Sequence, residues 1–185
     1  MTTRITTSNG RVLHELDGDL AGADLSGPRL IGAQLQGRSP CGSNLSGAYL
    51  TGADLDGAGL SIALLADTIL EGVHCIDASF DDACFQGADL YWALAFRASF
   101  RGADLTGADL RGANLLDADF TGANLERANL GRDNLNGSTS VEGADFSGAH
   151  LRGAVFHRTR YDRRTRFPED FDPVRMGMTL REGNE

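Results

Sequence analysis

The feature that most constrains the fold is a period of five residues. In 98–115, ASFRGADLTGADLRGANL, leucines recur at Leu105, Leu110 and Leu115, each preceded by Asp or Asn and, one residue earlier, by Ala. A period of five fits neither an α-helix, with 3.6 residues per turn, nor a β-strand, whose side chains alternate with a period of two. The chain must follow another regular path that returns a large apolar residue to the interior at every fifth position.

The same phase runs through most of the chain. If the Leu or Phe position is the centre of a quintet, centres run from Leu20 to Leu135 and resume at Phe146, after a slip of one residue within 136–141. We expect Val141 to be a centre as well, with the extra residue bulging outwards. A small residue stands two positions before most centres, and Asp, Asn and Gly are suited to the corners between quintets. One quintet cannot bury its apolar pair alone, so successive turns must stack.

This A-(D/N)-L-x-x pattern resembles the pentapeptide-repeat family over residues 19–161. The resemblance implies an all-β fold, a right-handed quadrilateral parallel β-helix (a solenoid), in which four quintets complete one coil and the whole chain makes about seven coils. Thr165 to Pro173 resembles the closing segment of cyanobacterial-type members, which implies a bacterial protein. We divide the chain into an N-terminal cap at 1–18, the β-helix at 19–161, and a C-terminal cap and tail at 162–185.

Both ends of the solenoid need covering, because the open end of a coil is an exposed strand edge that invites aggregation. Apolar residues outside the repeat are the candidates for this role. At the C-terminal end they are Phe167, Phe171, Met176, Met178 and Leu180, and at the N-terminal end they are Val12, Leu13 and Leu16.

One segment breaks the quintet pattern inside the repeat. In 38–42, RSPCG, Arg38 stands where a small inward residue belongs and Pro40 stands at a centre. Because proline has no N–H to donate to a neighbouring strand, we expect a small loop or bulge here.

Outward positions turn apolar within 62–96. A quadrilateral coil makes a four-sided prism. If residues twenty apart stack, Ile76, Phe96 and Leu116 form a vertical stripe on its fourth face, beside an aromatic corner that carries Tyr91 and Trp92. A contiguous exposed apolar patch usually marks an interface, and Trp and Tyr are favoured anchors there. The candidate interaction surface consists of Ile76, Tyr91, Trp92, Leu94, Phe96 and Leu116.

A second interpretation of these residues stays open. Cys75 and Ala95 are undersized for centres, and protein interiors resist voids. The backbone could therefore shift so that Ile76 and Phe96 turn inwards and fill the space.

The repeat region is acidic. The chain has a formal net charge of −9, and residues 19–156 carry 18 acidic and 8 basic side chains. This balance argues against direct binding to nucleic acid, whose phosphates need cations, and favours a basic partner. A solvated, solubilising surface is the alternative. The candidate acidic surface consists of Asp56, Asp67, Asp77, Asp81, Asp82 and Asp117.

No pattern of catalytic or ligand-binding residues is visible. The sequence has no P-loop, no HExxH and no spacing that suggests a catalytic triad, so we expect no enzyme activity, no cofactor and no metal. We also see no secretory signal and no membrane segment. Three cysteines at these spacings match neither a disulfide framework nor a zinc site, so we expect a cytoplasmic protein.

The resemblance also implies a role. Some family members, the quinolone-resistance type among them, bind type II DNA topoisomerases such as DNA gyrase and mimic or compete with duplex DNA. We therefore expect a non-catalytic interaction protein that presents a rigid acidic β-helical surface, with gyrase as a candidate protein partner through DNA mimicry. The alternative is a scaffold or regulatory protein that docks a partner, or itself, through the apolar residues of 62–96. Monomer and homodimer both stay open.

Overall fold

The computed structural model describes residues 1–182, and in it the chain winds into a solenoid. Short extended segments pair in parallel with the segment twenty residues further on, so that Asn44 bridges Leu64, Leu64 bridges Cys84 and Cys84 bridges Asp104. This spacing of 64 − 44 = 20 residues corresponds to four quintets per coil, as the resemblance to the pentapeptide-repeat family implies. The hand of the solenoid and the number of its coils stay predictions.

Each quintet turns a corner by the same set of hydrogen bonds. After the centre Leu105, the N–H of Ala108 donates to the Leu105 carbonyl (3.0 Å), and Gly107 between them has φ +68°. This is the arrangement of a type II turn, whose third residue needs positive φ and therefore favours glycine. The Asp104 carboxylate accepts from the N–H of Thr106 (3.0 Å), which explains why Asp or Asn precedes the centres.

The interior consists of the centres and the small residues two positions before them, nearly all of them fully buried. Four centres per coil point at one axis, and the alanines allow the coils to approach closely. We number the faces from the one whose centre is Leu20. The first face carries a column of stacked phenylalanine rings with centroids 4.9–5.6 Å apart: Phe80, Phe100, Phe120, Phe146 and Phe167.

The undersized centres do not displace the backbone. Cys75 and Ala95 are completely buried, and their N–H groups keep the standard ladder bonds to the next coil, 2.9 and 2.8 Å long. Phe85 is the centre opposite Ala95 in the same coil, and its ring packs against Phe80 and Phe100. Ile76 and Phe96 both stay partly exposed on the outside of the coil. The interpretation that Ile76 and Phe96 turn inwards is therefore wrong.

The expected bulge at 38–42 is also absent. Pro40 is a buried centre, and the N–H groups of Gly42 and Ser43 make the usual ladder and corner bonds around it. Because Pro40 has no N–H, only one hydrogen bond between neighbouring coils is missing here. Arg38 turns towards the N-terminal cap, where its guanidinium donates to the carbonyl of Arg4 (3.1 Å). A single lost hydrogen bond costs less than reorganising a stacked coil.

The real interruption is a loop at 131–138, which is longer than the one-residue slip predicted within 136–141. The N–H of Leu115 donates to Ser140, so Val141 stacks on Leu115 at a separation of 141 − 115 = 26 residues, six more than a regular coil. Val141 is a buried centre as expected, but Leu135 is not a centre, since 70% of its surface is exposed. The slip is thus an insertion of six residues, looped out after Leu130.

A β-hairpin caps the N-terminal end. Strands β1 (Thr2–Thr6) and β2 (Val12–Asp17) pair antiparallel, and the N–H of Gln34 donates to the carbonyl of Thr6 (2.8 Å), which ties the hairpin to the first coil. Ile5 is the fully buried residue of this cap, while Leu13 and Leu16 pack beside it partly buried. Val12 begins strand β2 of the hairpin, but its side chain is exposed, so its predicted role in covering the first coil is wrong.

The C-terminal end is covered by the tail. Strand β3 (Arg160–Tyr161) pairs in parallel with β4 (Thr179–Leu180). Phe167 extends the phenylalanine column, and Phe171 stacks on it at 4.8 Å. Met176 and Met178 pack against the core, but the side chain of Leu180 is exposed and does not cover the last coil as predicted. The last part of the predicted tail, 183–185, lies outside the described residues.

Candidate interaction surface

The apolar stripe of the fourth face lies on the outside of the prism. Ile76, Phe96 and Leu116 stack one above another immediately after their centres, and each is partly exposed. The guanidinium of Arg97 lies 4.1 Å from the centroid of the Phe96 ring and is held there by an ion pair with Asp77. The middle of the stripe is therefore shielded by a charged side chain.

Leu94 is the most exposed apolar residue of this face. It precedes the centre Ala95, bridges His74 below and Asn114 above, and has 37% of its surface exposed. With Ile76 and Phe96 it forms a modest apolar area on a polar face. The placement predicted from twenty-residue stacking agrees with the structure, whereas a role in binding stays a prediction.

The aromatic corner, formed by Tyr91 and Trp92, makes its contacts within the molecule. Trp92 Nε1–H donates to Asp133 Oδ2 (2.7 Å), and the Tyr91 and Trp92 rings stack at 4.8 Å. Asp133 also accepts the N–H groups of Leu135 (2.9 Å) and Gly137 (2.6 Å), so it organises the inserted loop and fastens it to the corner. The sequence did not reveal this pairing, although Asp133 stood where a small inward residue belongs.

A second apolar patch lies on the opposite side of the prism. Ile62, at the corner before the second face, is 58% exposed, and Leu64 on that face is 47% exposed. The apolar residues of 62–96 are thus divided between opposite faces and do not form one stripe. Ile62 also has φ +54°, which is unusual for a β-branched residue, at a corner position where glycine is the rule.

Four of the six predicted acidic residues already have partners. Asp77 pairs with Arg97 (2.5 Å) and Asp117 with Arg164 (2.8 Å). Asp56 accepts the N–H of Ile76 (2.7 Å), and Asp81 accepts the hydroxyl of Ser99. The hydrogen bond from Arg97 lowers the pKa of Asp77 and keeps its charge satisfied inside the molecule.

The carboxylates of Asp67 and Asp82 are different. Within residues 1–182 neither makes a hydrogen bond or an ion pair with a side chain. Both residues have positive φ, +53° and +56°, and both stand at corners above which the next coil has a glycine. Each carboxylate lies over that glycine, and both residues are exposed, on either side of the second face.

Unpaired negative charge is concentrated in the middle of the solenoid. We call residues 39–96 the acidic belt, since this stretch of almost three coils contains no Arg or Lys at all. From Arg97 onwards, arginines pair with most of the acids, as in Arg101–Asp119 and Arg111–Asp109. The carboxylates of the belt are Asp54, Asp56, Asp67, Glu71, Asp77, Asp81, Asp82 and Asp89.

Sites for chemistry are not apparent in the described part of the chain. Residues 1–182 hold no group of three or more His, Cys, Asp or Glu side chains arranged for a metal ion. Burial raises the pKa of the Cys75 thiol, which leaves this side chain as a neutral packing group. Over the same range, no helix has the length and apolar character required to cross a bilayer.

Comparisons with known proteins agree with the geometry. The family described as Pentapeptide repeats matches in 8 copies, over residues 41–63, 60–94, 97–137 and 138–160. Among the curated proteins there is no match.

Two solved structures of QnrB1 have the same fold as this chain. The structure of full-length QnrB1, a plasmid-mediated fluoroquinolone resistance protein, is similar with a TM-score of 0.74 at 21% identity, over 86% of this chain and 80% of that chain. A trypsin-treated variant of QnrB1 gives 0.71 at 22% identity, over 86% and 78%. The pentapeptide repeat protein alr5209 from Nostoc Pcc 7120 is 32% identical over 66% of this chain and 84% of that chain, with a TM-score of 0.30.

The family match extends over more than half of the chain, and the quintets that it covers are those whose centres form the buried axis. On the sequence pattern, the coil geometry and this match together, the protein belongs to the pentapeptide-repeat family.

Proposed function

We propose that this protein is a non-catalytic interaction protein and that it binds a type II DNA topoisomerase such as gyrase through the acidic belt, in place of duplex DNA. The observation that carries the proposal is the absence of any Arg or Lys between Arg38 and Arg97, where eight carboxylates line a rigid prism. A surface of this kind suits a protein saddle lined with Lys and Arg, and long-range attraction would speed association. As part of the proposal we place the protein in the cytoplasm, where its three free cysteines would stay reduced.

The likeness to QnrB1 supports the fold part of this proposal, and the link to fluoroquinolones comes from QnrB1 being a fluoroquinolone resistance protein. The prism of this chain has the two properties that a substitute for DNA requires. It is stiff, because every coil is bonded to the next, and it carries its unpaired charge on a continuous stretch.

The test is a DNA gyrase supercoiling and quinolone-stabilised cleavage assay with and without the protein. We expect inhibition or protection at micromolar protein that weakens as salt rises, because exposed charges are screened over about 10 Å at 0.1 M. Unchanged supercoiling and unchanged cleavage at every protein concentration would exclude gyrase as the partner.

A charge-matched pair of variants makes the assay specific to the belt. Removing the carboxylates of Asp67, Glu71 and Asp82 together, as Asn, Gln and Asn, takes away three charges that have no arginine partner within residues 1–182. The control removes three paired charges outside the belt: Asp119→Asn, Glu126→Gln and Asp145→Asn. Only the first variant should lose activity; equal loss in both would mean that net charge alone matters.

A scaffold that docks a partner through the fourth face is the second candidate, favoured by the exposure of Leu94 beside Ile76 and Phe96. Size measurement in solution, together with pull-down from a bacterial lysate, compares Phe96→Asp with the unchanged chain. A unique retained protein, or a dimer, that disappears with Phe96→Asp would favour this candidate over the topoisomerase.

A further inference from the structure

The patch formed by Ile62 and Leu64, with Asp67 and Asp82 beside it, combines three features that occur together nowhere else on the described prism. It has the highest apolar exposure of any coil in the solenoid body, a β-branched residue with positive φ, and two carboxylates without partners in the described chain. We call these four residues the second-face patch.

The backbone at Ile62 is unfavourable for its own side chain. Corners of this kind are mostly occupied by glycine, as at Gly42 directly below and Gly102 two coils above. An L-residue with a β-branch is disfavoured in the left-handed region, because its Cβ comes too close to the following carbonyl oxygen. The side chain gains only a contact over Gly42, with its Cδ1 3.6 Å from the position of a Cβ there, and stays mostly in solvent. Strain of this sort persists at functional surfaces when another interaction depends on the side chain.

The charges beside the patch define what can cover it. Asp82 occupies the same corner as Ile62 one coil later, about 4.8 Å along the axis. Asp67 occupies the corner at the other end of the quintet that contains Leu64. An incoming group that covers the two apolar side chains therefore passes between two free carboxylates and meets no Arg or Lys of this chain within the acidic belt.

A second copy of this chain does not suit the patch. Two second-face patches placed face to face would bring the unpaired carboxylates of Asp67 and Asp82 of one copy against those of the other, and like charges brought together at an interface repel. The complementary surface has an aliphatic side chain flanked by cations.

We propose that the second-face patch docks a protein segment in which aliphatic residues are flanked by arginine or lysine, with the aliphatic group seated on Ile62 and Leu64 and the cations paired with Asp67 and Asp82. The inference rests on the broader part of the proposed function, that the acidic belt binds a protein, and does not require that partner to be a topoisomerase. It deepens that function, because it adds an apolar anchor to an interface that charge alone would leave unspecific.

The test measures binding of short fluorescent peptides to the full chain by anisotropy. The main probe has two leucines between arginines. One comparison peptide replaces the leucines by serine, and the other replaces the arginines by glutamate. We expect the main probe to bind at least about tenfold more tightly than either comparison peptide.

Variants then locate the site. Ile62→Gly and Leu64→Asn should each weaken the main probe by about tenfold or more, a loss typical of an interface anchor. Leu94→Asn on the opposite face is the matched control, because Asn114 and Asn44 show that this position in a quintet accepts Asn. The control should bind like the unchanged chain.

Stability separates binding from packing at Ile62. Ile62→Gly should unfold at the same or a higher temperature than the unchanged chain, since glycine relieves the backbone. Weaker binding without lower stability supports the proposal. Equal binding by Ile62→Gly, equal binding of the leucine and serine peptides, loss of binding only in Leu94→Asn, or no binding of any probe would each overturn it, whatever the outcome with gyrase.

Discussion

At the scale of the residue, the corners of the coil decide which side chains are tolerated. Glycine is the usual third residue of the turn because it reaches positive φ without a Cβ clash. Several corners hold Asp or Arg instead, and these were visible in the sequence only as gaps in the glycine pattern. The loss of stability caused by a side chain at a corner depends on which atoms of the neighbouring coil lie next to it. The repeat pattern of the sequence does not predict those atoms.

Gly112 and Gly107 are a matched pair that tests this dependence. Both have positive φ, +70° and +68°, but a Cβ on Gly112 would overlap the ring of Trp92, whereas a Cβ on Gly107 would have nothing within 4 Å. We expect Gly107→Ala to lower the free energy of unfolding by roughly 1–2 kcal/mol from φ alone. Gly112→Ala should cost roughly 1–3 kcal/mol more because the ring must move. Urea unfolding followed by circular dichroism measures both, and equal losses would contradict the packing at the aromatic corner.

At the scale of the element, the loop 131–138 is held by local polar contacts that replace those of a regular quintet. Thr139 closes its base: the hydroxyl accepts the N–H of Gly112 (3.0 Å) and lies within hydrogen-bonding distance of the Leu110 carbonyl (3.1 Å). In a regular coil the Gly112 N–H would donate to a backbone carbonyl of the coil above. The loop can therefore leave the prism without leaving a buried donor unpaired.

Acid should release this loop from Trp92. The pKa of Asp133 is lowered, chiefly by the hydrogen bond from Trp92 and also by those from Gly137 and Leu135. A lowered pKa means that the stabilisation is fully present above the pKa of a free aspartate, about 3.9, and is lost as the pH falls through the lowered value.

The single tryptophan of the chain reports this step directly. We expect Trp92 fluorescence to change with a midpoint below the pKa of a free aspartate, which is about 3.9. Asp133→Asn should remove that transition. A transition of the same size and midpoint in Asp133→Asn would mean that another group controls the loop.

At the scale of the whole molecule, the axis is packed by matching sizes across the coil. On the fourth face the centre Ala95 is smaller than the centres Leu55 and Leu115 of the same column. On the second face the centre Phe85 is larger than the centres Leu65 and Leu105 of its own column. We infer that the two compensate, because opposite centres of one coil face the same space on the axis. A solenoid transmits such changes only to adjacent coils, so compensation must be local.

A reciprocal exchange tests this compensation. Ala95→Leu alone should overpack the axis and lower stability by roughly 1–3 kcal/mol. Phe85→Leu alone should leave a partial cavity and also destabilise the chain. Because the sites share one space, the double variant should be more stable than the sum of the single losses predicts. Additive losses in denaturant unfolding would show that Phe85 does not fill the space beside Ala95.

The sequence by itself determined the path of the chain, because a five-residue period repeated in one phase permits only a stacked coil with its centres inside. Together with the four quintets per coil that the family resemblance implies, the same period predicts that Ile76, Phe96 and Leu116 lie above one another, as they do in the structure. The tertiary structure alone decided the rest: the loop at 131–138, the filling of the axis by Phe85, the coupling of Trp92 to Asp133, and the separation of Ile62 from Phe96 on opposite faces. These features depend on which residues meet across the axis or between coils. A periodic pattern predicts the face and the coil on which a side chain lies, but it does not predict which side chain it contacts there.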